Sequence, residues 1–296
     1  MNTDQIGILG AGELGQALGH VLEKAGSKVV YYDREDSRST IASIEEAVKT
    51  SKIILICVPS AANRDVVREV AKHVDPANPP LVITFSKGVE KGFVTMDQVL
   101  QNVLPEGTPY GMIYGPMMAN ELVAHAMGSG VLTLSQPDYG SMVRELFAGA
   151  RVYLEMSDDM KGAAVSGALR NIYAMAFGMC DGLSLGANAR GRLSVMALRE
   201  MKRLLKGLGA NPETAEGLAG LGDLLAAGTG DDSFNYRLGR SIAERIADSK
   251  VDTEGLTTLK ELPHVVQLEE YPVLHLLDKL IYHYGDPHEL QQLLES

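Results

Sequence analysis

The chain has 296 residues and carries 27 basic against 38 acidic side chains, a net charge of −11. Hydrophobic residues at 45% and charged residues at 22% exclude a disordered chain, and the length fits one large domain or two ordinary ones. The acidic balance speaks against a nucleic-acid binder, which shows a basic face to phosphate, and two cysteines, Cys57 and Cys180, cannot build a disulfide framework.

The first half alternates. Residues 5–9 read as a short apolar strand, 15–25 as an amphipathic helix, and 27–32 as a second strand. Residues 53–58 and 81–85 are continuously apolar strands, with weaker candidates at 111–114 and 130–134. Continuously apolar strands separated by helical stretches predict a parallel sheet buried on both faces. From residue 157 the period becomes helical, most clearly over 158–180, 190–208 and 233–246. The predicted fold is therefore an α/β domain with a doubly wound, mostly parallel sheet over residues 1–153. An all-α domain follows over 154–296, with the boundary near 151–157. No run approaches the roughly 20 apolar residues of a membrane helix, and no basic region precedes the first strand, so neither a membrane span nor a signal peptide is expected. The two cysteines lie in apolar stretches and read as reduced core residues, which places the protein in the cytoplasm.

The 31 glycines need a reason, because they amount to about a tenth of the chain against an average near 7%. Three of them, Gly10, Gly12 and Gly15, form G-x-G-x-x-G directly after a strand and at the start of a helix. In that context Gly10 permits the tight turn, Gly12 lets backbone approach a pyrophosphate, and Gly15 lets the helix pack closely on the sheet. The helix start offers unpaired N–H groups to phosphate. Asp33 ends the next strand, where an acid takes the ribose hydroxyls of NAD, while Arg34 beside it suits the 2′-phosphate of NADP. The two signals conflict. The cofactor is read as NAD or NADP, with Asp33 favouring NAD.

In the helix at 158–180, Ala163, Gly167, Arg170, Ala174 and Gly178 share one face. An arginine in a stripe of small residues needs an anionic or carbonyl partner. That partner is either a carboxylate such as Asp223 or the anion of a ligand. Two glycine-rich segments, 215–224 and 228–239, suggest loops and close backbone approach, and in the plainest interpretation are interhelical loops with Asp223 as a helix cap. The seven histidines are scattered, and H-E-x-x-H, C-x-x-C and D-x-D-x-D-G do not occur, so no metal site is expected.

The chain resembles the NAD(P)-dependent glycerol-3-phosphate dehydrogenase family from Ile6 to about Leu290. The likeness rests on G-A-G-E-L-G at 10–15, V-P-S at 58–60, S-K-G at 86–88, G-P-M-M-A-N-E at 115–121 and G-A-L-R-N at 167–171. It continues through D-G-L-S-L-G-A-N-A at 181–189, G-L-A-G-L-G-D-L at 217–224 and T-E-G at 253–255. The resemblance implies a cleft site between a Rossmann and a helical domain. It implies cofactor contacts at Glu13, Leu14, Pro59, Ala119 and Glu254, in addition to the glycine turn. It also implies substrate handling by Lys87, Asn171 and Asp223. Arg170 stands where the family has its second lysine, Phe234 where it has an arginine that grips phosphate, and Ala227 at a family threonine. Asn235 keeps the neighbouring asparagine.

The expected activity is hydride transfer between a nicotinamide and a secondary alcohol or ketone, on glycerol 3-phosphate/dihydroxyacetone phosphate or an anionic relative. Arginine is a poor general acid at neutral pH but a strong anion clamp. Two other readings remain beside this one: a 3-hydroxyacid-type dehydrogenase whose carboxylate substrate meets Arg170, and a nicotinamide-binding sensor without catalysis. The expected partners are a small anionic substrate and a second copy of the chain in a homodimer.

Overall fold

The computed structural model describes residues 5–228, 233–246, 253–283 and 285–296. The chain divides into two compact units. The first comprises residues 1–87 and 96–160, and the second comprises 88–95 and 161–296. The sequence boundary at 153/154 has no place for the short segment 88–95, which belongs to the second unit by its packing.

In chain order the first unit begins with β1 (Gln5–Leu9), α1 (Glu13–Lys24), β2 (Lys28–Tyr32), α2 (Ile44–Thr50), β3 (Ile53–Ile56), α3 (Ser60–His73) and β4 (Leu81–Thr84). The chain then crosses into the second unit for the hairpin β5 (Val89–Glu90) and β6 (Val94–Thr95). It returns for α4 (Met96–Val103), β7 (Tyr110–Tyr114), α5 (Ala119–Val123), β8 (Gly128–Leu134), α6 (Gly140–Gly149) and β9 (Val152–Met156). The seven-stranded sheet has the order β2-β1-β3-β4-β7-β8-β9 and is parallel except where β7 meets β8. Ile54, Leu55 and Ile56 of β3 are fully buried, as a central strand covered on both faces requires. Burying each such side chain is worth about 1.5–3 kcal/mol. The sheet core continues through Leu18 and Leu22 of α1 and Phe147 of α6. β9 is an edge strand whose alternate residues Val152 and Leu154 face inward. It lies inside the stretch expected to be the domain boundary.

The second unit contains α7 (Met160–Gly182), α8 (Gly186–Gly207), α9 (Asp223–Ala227), α10 (Phe234–Ala243), α11 (Glu254–Glu261), α12 (Pro272–Tyr282) and α13 (Glu289–Glu295). α7 is buried nearly all round, which is why its sequence lacks a polar face. Its glycines serve contact between helices. A Cβ on Gly178 would lie 1.9 Å from the Tyr236 carbonyl oxygen, and one on Gly239 would lie 1.9 Å from that of Met175. The small-residue stripe thus accommodates α10. Glu200 of α8, 6% exposed, ties α7, α8 and α12 together. Its carboxyl oxygens accept hydrogen bonds from the Tyr173 hydroxyl at 3.1 Å, Val273 N at 2.6 Å and Leu274 N at 3.3 Å. The hairpin β5–β6 adds Val89 and Phe93 to this unit's core, and Gly92 N donates to Glu261 Oε2 at 2.7 Å. Phe93 sits at φ 60°, a left-handed conformation costly for an aromatic residue and offset here by its burial.

The glycine-rich stretch 215–224 is not the loop its composition suggested. Pro212–Glu216 is a 3₁₀ turn and Leu218–Gly222 a π turn leading into α9. A Cβ on Gly220 would lie 2.3 Å from the Ala215 carbonyl oxygen, so glycine is needed for compactness there. The N-cap of α9 is Gly222, so Asp223 does not cap that helix with its side chain; its backbone N–H instead closes the π turn, donating to the Gly220 and Leu218 carbonyls. The second segment, 228–239, contains most of α10, while residues 229–232 lie outside the described residues. Cys180 is buried and Cys57 partly buried, and both are free thiols. Burial pushes Cys180 up to about 11 and Cys57 up to about 12, so neither is a thiolate at neutral pH.

Candidate functional site

In the first unit, β1 pairs with β2 on one side and β3 on the other, so the chain changes winding direction between β1 and β3. The carboxyl ends of strands at such a switch point are where open α/β sheets bind ligands. The glycine turn lies there. Gly10 has φ 97°, and a Cβ on it would lie 2.7 Å from Val58 and 2.8 Å from the Cys57 carbonyl oxygen. Gly15 is equally constrained, since its Cβ would lie 2.0 Å from the Gly10 carbonyl oxygen. Gly12 differs: a Cβ there would meet nothing within 4 Å. Its glycine therefore answers to no protein neighbour, which fits backbone left open for a pyrophosphate. Gly12 also caps α1 without a side-chain hydrogen bond, leaving the first helical N–H groups directed outward. Glu13 and Leu14 form the start of α1, Glu13 exposed and Leu14 half-buried.

Asp33 is fixed to this turn. Its Oδ2 accepts from Ala11 N at 2.7 Å and its Oδ1 from Glu35 N at 3.0 Å. Arg34 is exposed, with no ion pair to Asp33 among the described residues. Pro59 caps α3, and Ala119 opens α5. These residues fit a dinucleotide: an open glycine turn, a helix N-terminus and a carboxylate at the end of β2.

Lys87 also belongs to this unit and is half-buried. Its Nζ donates to the Gly115 carbonyl at 3.1 Å and lies 5.9 Å from the centre of the Tyr114 ring. Ser86 before it is immobilised. Its Oγ donates to the Val58 carbonyl at 2.5 Å, its N donates to Thr84 Oγ1 at 3.1 Å, and its carbonyl accepts from the Tyr114 hydroxyl. Asn63 Nδ2 donates to the same threonine oxygen at 2.8 Å. The sequence missed Tyr114, and the only signal was an aromatic residue at a strand end before Gly-Pro.

The second unit gathers the other predicted side chains. Arg170 Nε donates to Asp223 Oδ2 at 3.2 Å, with the two side chains 16% and 3% exposed. The carboxylate partner expected for this arginine is therefore present. Asn171 Nδ2 donates to Glu254 Oε2 at 3.2 Å, and Asn171 Oδ1 accepts from Asn235 Nδ2 at 3.1 Å. Asn235 Oδ1 accepts in turn from Gly255 N at 3.1 Å. A Cβ on Gly255 would lie 2.6 Å from Asn235 Oδ1 and 2.8 Å from the Asn171 carbonyl oxygen, which explains the glycine of T-E-G. Arg190 is committed elsewhere, to Asp181 at 2.6 Å and to the Gly228 carbonyl. Arg237 is exposed, with its guanidinium 5.2 Å over the Phe234 ring.

Fold and site together define a protein built from a Rossmann unit and a helical unit. The profile of the NAD-dependent glycerol-3-phosphate dehydrogenase N-terminus matches residues 39–139, and that of the C-terminus matches residues 159–292. A third profile, the NAD-binding domain of D-isomer-specific 2-hydroxyacid dehydrogenases, matches residues 1–71 only. A glycerol-3-phosphate dehydrogenase [NAD(P)+] from Stenotrophomonas maltophilia K279a is 35% identical over 264 residues, covering 81% of this chain and 77% of that protein. One from Pseudomonas syringae pv. tomato is 29% identical over 293 residues, with 88% and 85% covered. The crystal structure of glycerol-3-phosphate dehydrogenase from Coxiella burnetii superposes with a TM-score of 0.88 at 29% identity, over 99% of each chain. The chain belongs to the NAD-dependent glycerol-3-phosphate dehydrogenase family.

Proposed function

We propose that the chain is an NAD(P)-dependent oxidoreductase acting on a CH–OH group, interconverting glycerol 3-phosphate and dihydroxyacetone phosphate. The observation that carries this reading is the buried Arg170–Asp223 pair beside the Asn171–Asn235–Glu254 network, in a chain of this family. When bound, the nicotinamide supplies or accepts the hydride. Gly10, Gly12 and Gly15, with Glu13 and Leu14, are assigned to the pyrophosphate, and Asp33 to the ribose hydroxyls. Pro59, Ala119 and Glu254 are assigned to the rest of the cofactor by the family resemblance, as is Arg34 should a 2′-phosphate be present.

Lys87 is assigned to the substrate oxygen, where an ammonium can give up a proton as the ketone is reduced. Arg170 engages Asp223 through Nε, which leaves its terminal amino groups to stabilise developing negative charge on oxygen. It is too weak an acid to replace Lys87 in proton transfer. Asn171 and Asn235 orient the substrate. With Phe234 at the family's phosphate-gripping arginine, that charge is to be supplied by Arg170, Arg190, Arg192 or Arg237, of which Arg190 is already paired with Asp181.

The test is NADH oxidation by purified protein with dihydroxyacetone phosphate. Saturable turnover that Lys87→Ala abolishes supports the reading, and no turnover with either NADH or NADPH rejects it. The planar fork of Arg170 also suits a carboxylate, which favours a hydroxyacid substrate as the second reading. Turnover of a hydroxyacid in place of the phosphate ester selects that one. The two free thiols, Cys57 and Cys180, support a cytoplasmic protein, and a homodimer is proposed, tested by light scattering of the eluting peak.

A further inference from the structure

We propose that Tyr114 is the positioning residue of Lys87, holding the ammonium and the backbone that carries it through one buried side chain. The inference rests on the assignment of Lys87 to the substrate oxygen, and it adds a residue that the family resemblance does not supply.

Tyr114 ends β7 and is 1% exposed. A buried tyrosine hydroxyl requires a partner, and any nearby acceptor would satisfy a purely structural one. Here the partner is the carbonyl of Ser86, the residue immediately before Lys87. The reverse bond also exists, because Lys87 Nζ donates to the carbonyl of Gly115, the residue immediately after Tyr114. Residues 86–87 and 114–115 thus clasp each other reciprocally, and the Tyr114 ring lies beneath the ammonium at 5.9 Å. Both halves of the clasp are rigid. Tyr114 is in register with Val131 of β8, and a Cβ on Gly115 would lie 2.5 Å from the Gly130 Cα. On the other side, Ser86 is fixed by Val58 and Thr84.

The two functions of the side chain separate chemically. The ring attracts the charged ammonium through its quadrupole, and the hydroxyl fixes the backbone that aims the lysine. Tyr114→Phe keeps the ring and loses the hydroxyl. Tyr114→Leu loses both.

The experiment compares wild type and both variants in two assays on the folded protein. In the first, acetic anhydride acylates lysines at neutral pH, and mass spectrometry reads Lys87 relative to the other lysines. Loss of the ring in Tyr114→Leu is expected to raise relative acylation of Lys87 about two- to thirtyfold, while Tyr114→Phe stays near wild type. In the second, kcat with dihydroxyacetone phosphate is expected to fall about fivefold in Tyr114→Phe from the lost hydrogen bond and further in Tyr114→Leu, with the KM for NADH unchanged in both. Equal acylation in all three proteins overturns the proposal. So does a kcat in Tyr114→Phe equal to wild type, or a loss of activity matched by an equal loss of NADH binding. If wild type shows no turnover, acylation alone decides on Tyr114, and the failure belongs to the assigned reaction.

Discussion

Glu200 gives the sharpest stability test. Its carboxyl is buried, and burial pushes it from an ordinary 4.5 up to about 7, outweighing the hydrogen bonds from Val273, Leu274 and Tyr173 and the nearby Arg203 charge that favour ionisation. In the window between those two values the unfolded chain has released its proton while the folded chain retains it. The folded state then binds more protons, so stability falls as pH rises. The contribution is fully present below 4.5 and lost above about 7. At about 1.4 kcal/mol per pH unit, the gap corresponds to roughly 3 kcal/mol. Glu200→Gln cannot ionise. Its amide also puts a donor where an acceptor stood, a pH-independent cost of about 1–3 kcal/mol. The diagnostic quantity is therefore the slope of the difference. Urea unfolding at several values from pH 4.5 to 8 should show wild type losing stability relative to Glu200→Gln as pH rises. A difference that stays flat, or that grows in favour of wild type with pH, would refute the claim that desolvation dominates at this site.

Three further outcomes are expected. Gly12→Ala meets no protein atom, so it should leave the melting temperature near wild type and weaken NADH binding in a fluorescence titration, whereas Gly15→Ala should lower the melting temperature by forcing α1 off the Gly10 carbonyl. Asp33→Ser should raise the KM for NADH about tenfold or more by removing a charged acceptor, and lower the KM for NADPH by removing a repelling charge, so an unchanged ratio of the two would remove Asp33 from cofactor choice. Arg170→Met removes the guanidinium from the buried Asp223 carboxylate and should cost about 1–3 kcal/mol in chemical denaturation, the value of a lost charge-assisted hydrogen bond. Arg170→Lys should keep most of that stability, and retention of full stability by Arg170→Met would show the pair to be energetically idle.

Much of the fold could be read from local pattern. β1, the glycine turn and α1 follow from contiguous residues whose roles are local, and β3 and β4 follow from apolar runs that only a doubly covered strand needs. β9 was hidden although Val152 and Leu154 alternate with exposed Tyr153 and Glu155, because a five-residue edge strand buries one face and gives a weak signal. The segment at 215–224 was only half legible, as close backbone approach but not as helical turns, because glycine density marks both flexible loops and tight backbone contact. Only the distance from Gly220 to Ala215 tells the two apart. The same ambiguity affected the stripe on α7, whose glycine at 178 faces α10 and not a ligand. In the candidate site, the asparagines, Asp223 and Lys87 were recognisable because each sits in a motif. Tyr114 was not, since its meaning depends on residues 28 positions earlier in the chain.

The hairpin at 88–95 bears on how such a protein can be rebuilt. Val89 and Phe93 fill the core of the second unit while the chain on both sides belongs to the first. A chimera that joins the first unit of one relative to the second unit of another at a single junction near residue 160 would bring a foreign plug into a native socket. Modular exchange therefore needs junctions at 87/88, 95/96 and 160/161, so that the hairpin travels with the helices that enclose it. Homologous units separated at one point are expected to recombine poorly even where their sheets are interchangeable, because the unit of inheritance in the second half is discontinuous in sequence.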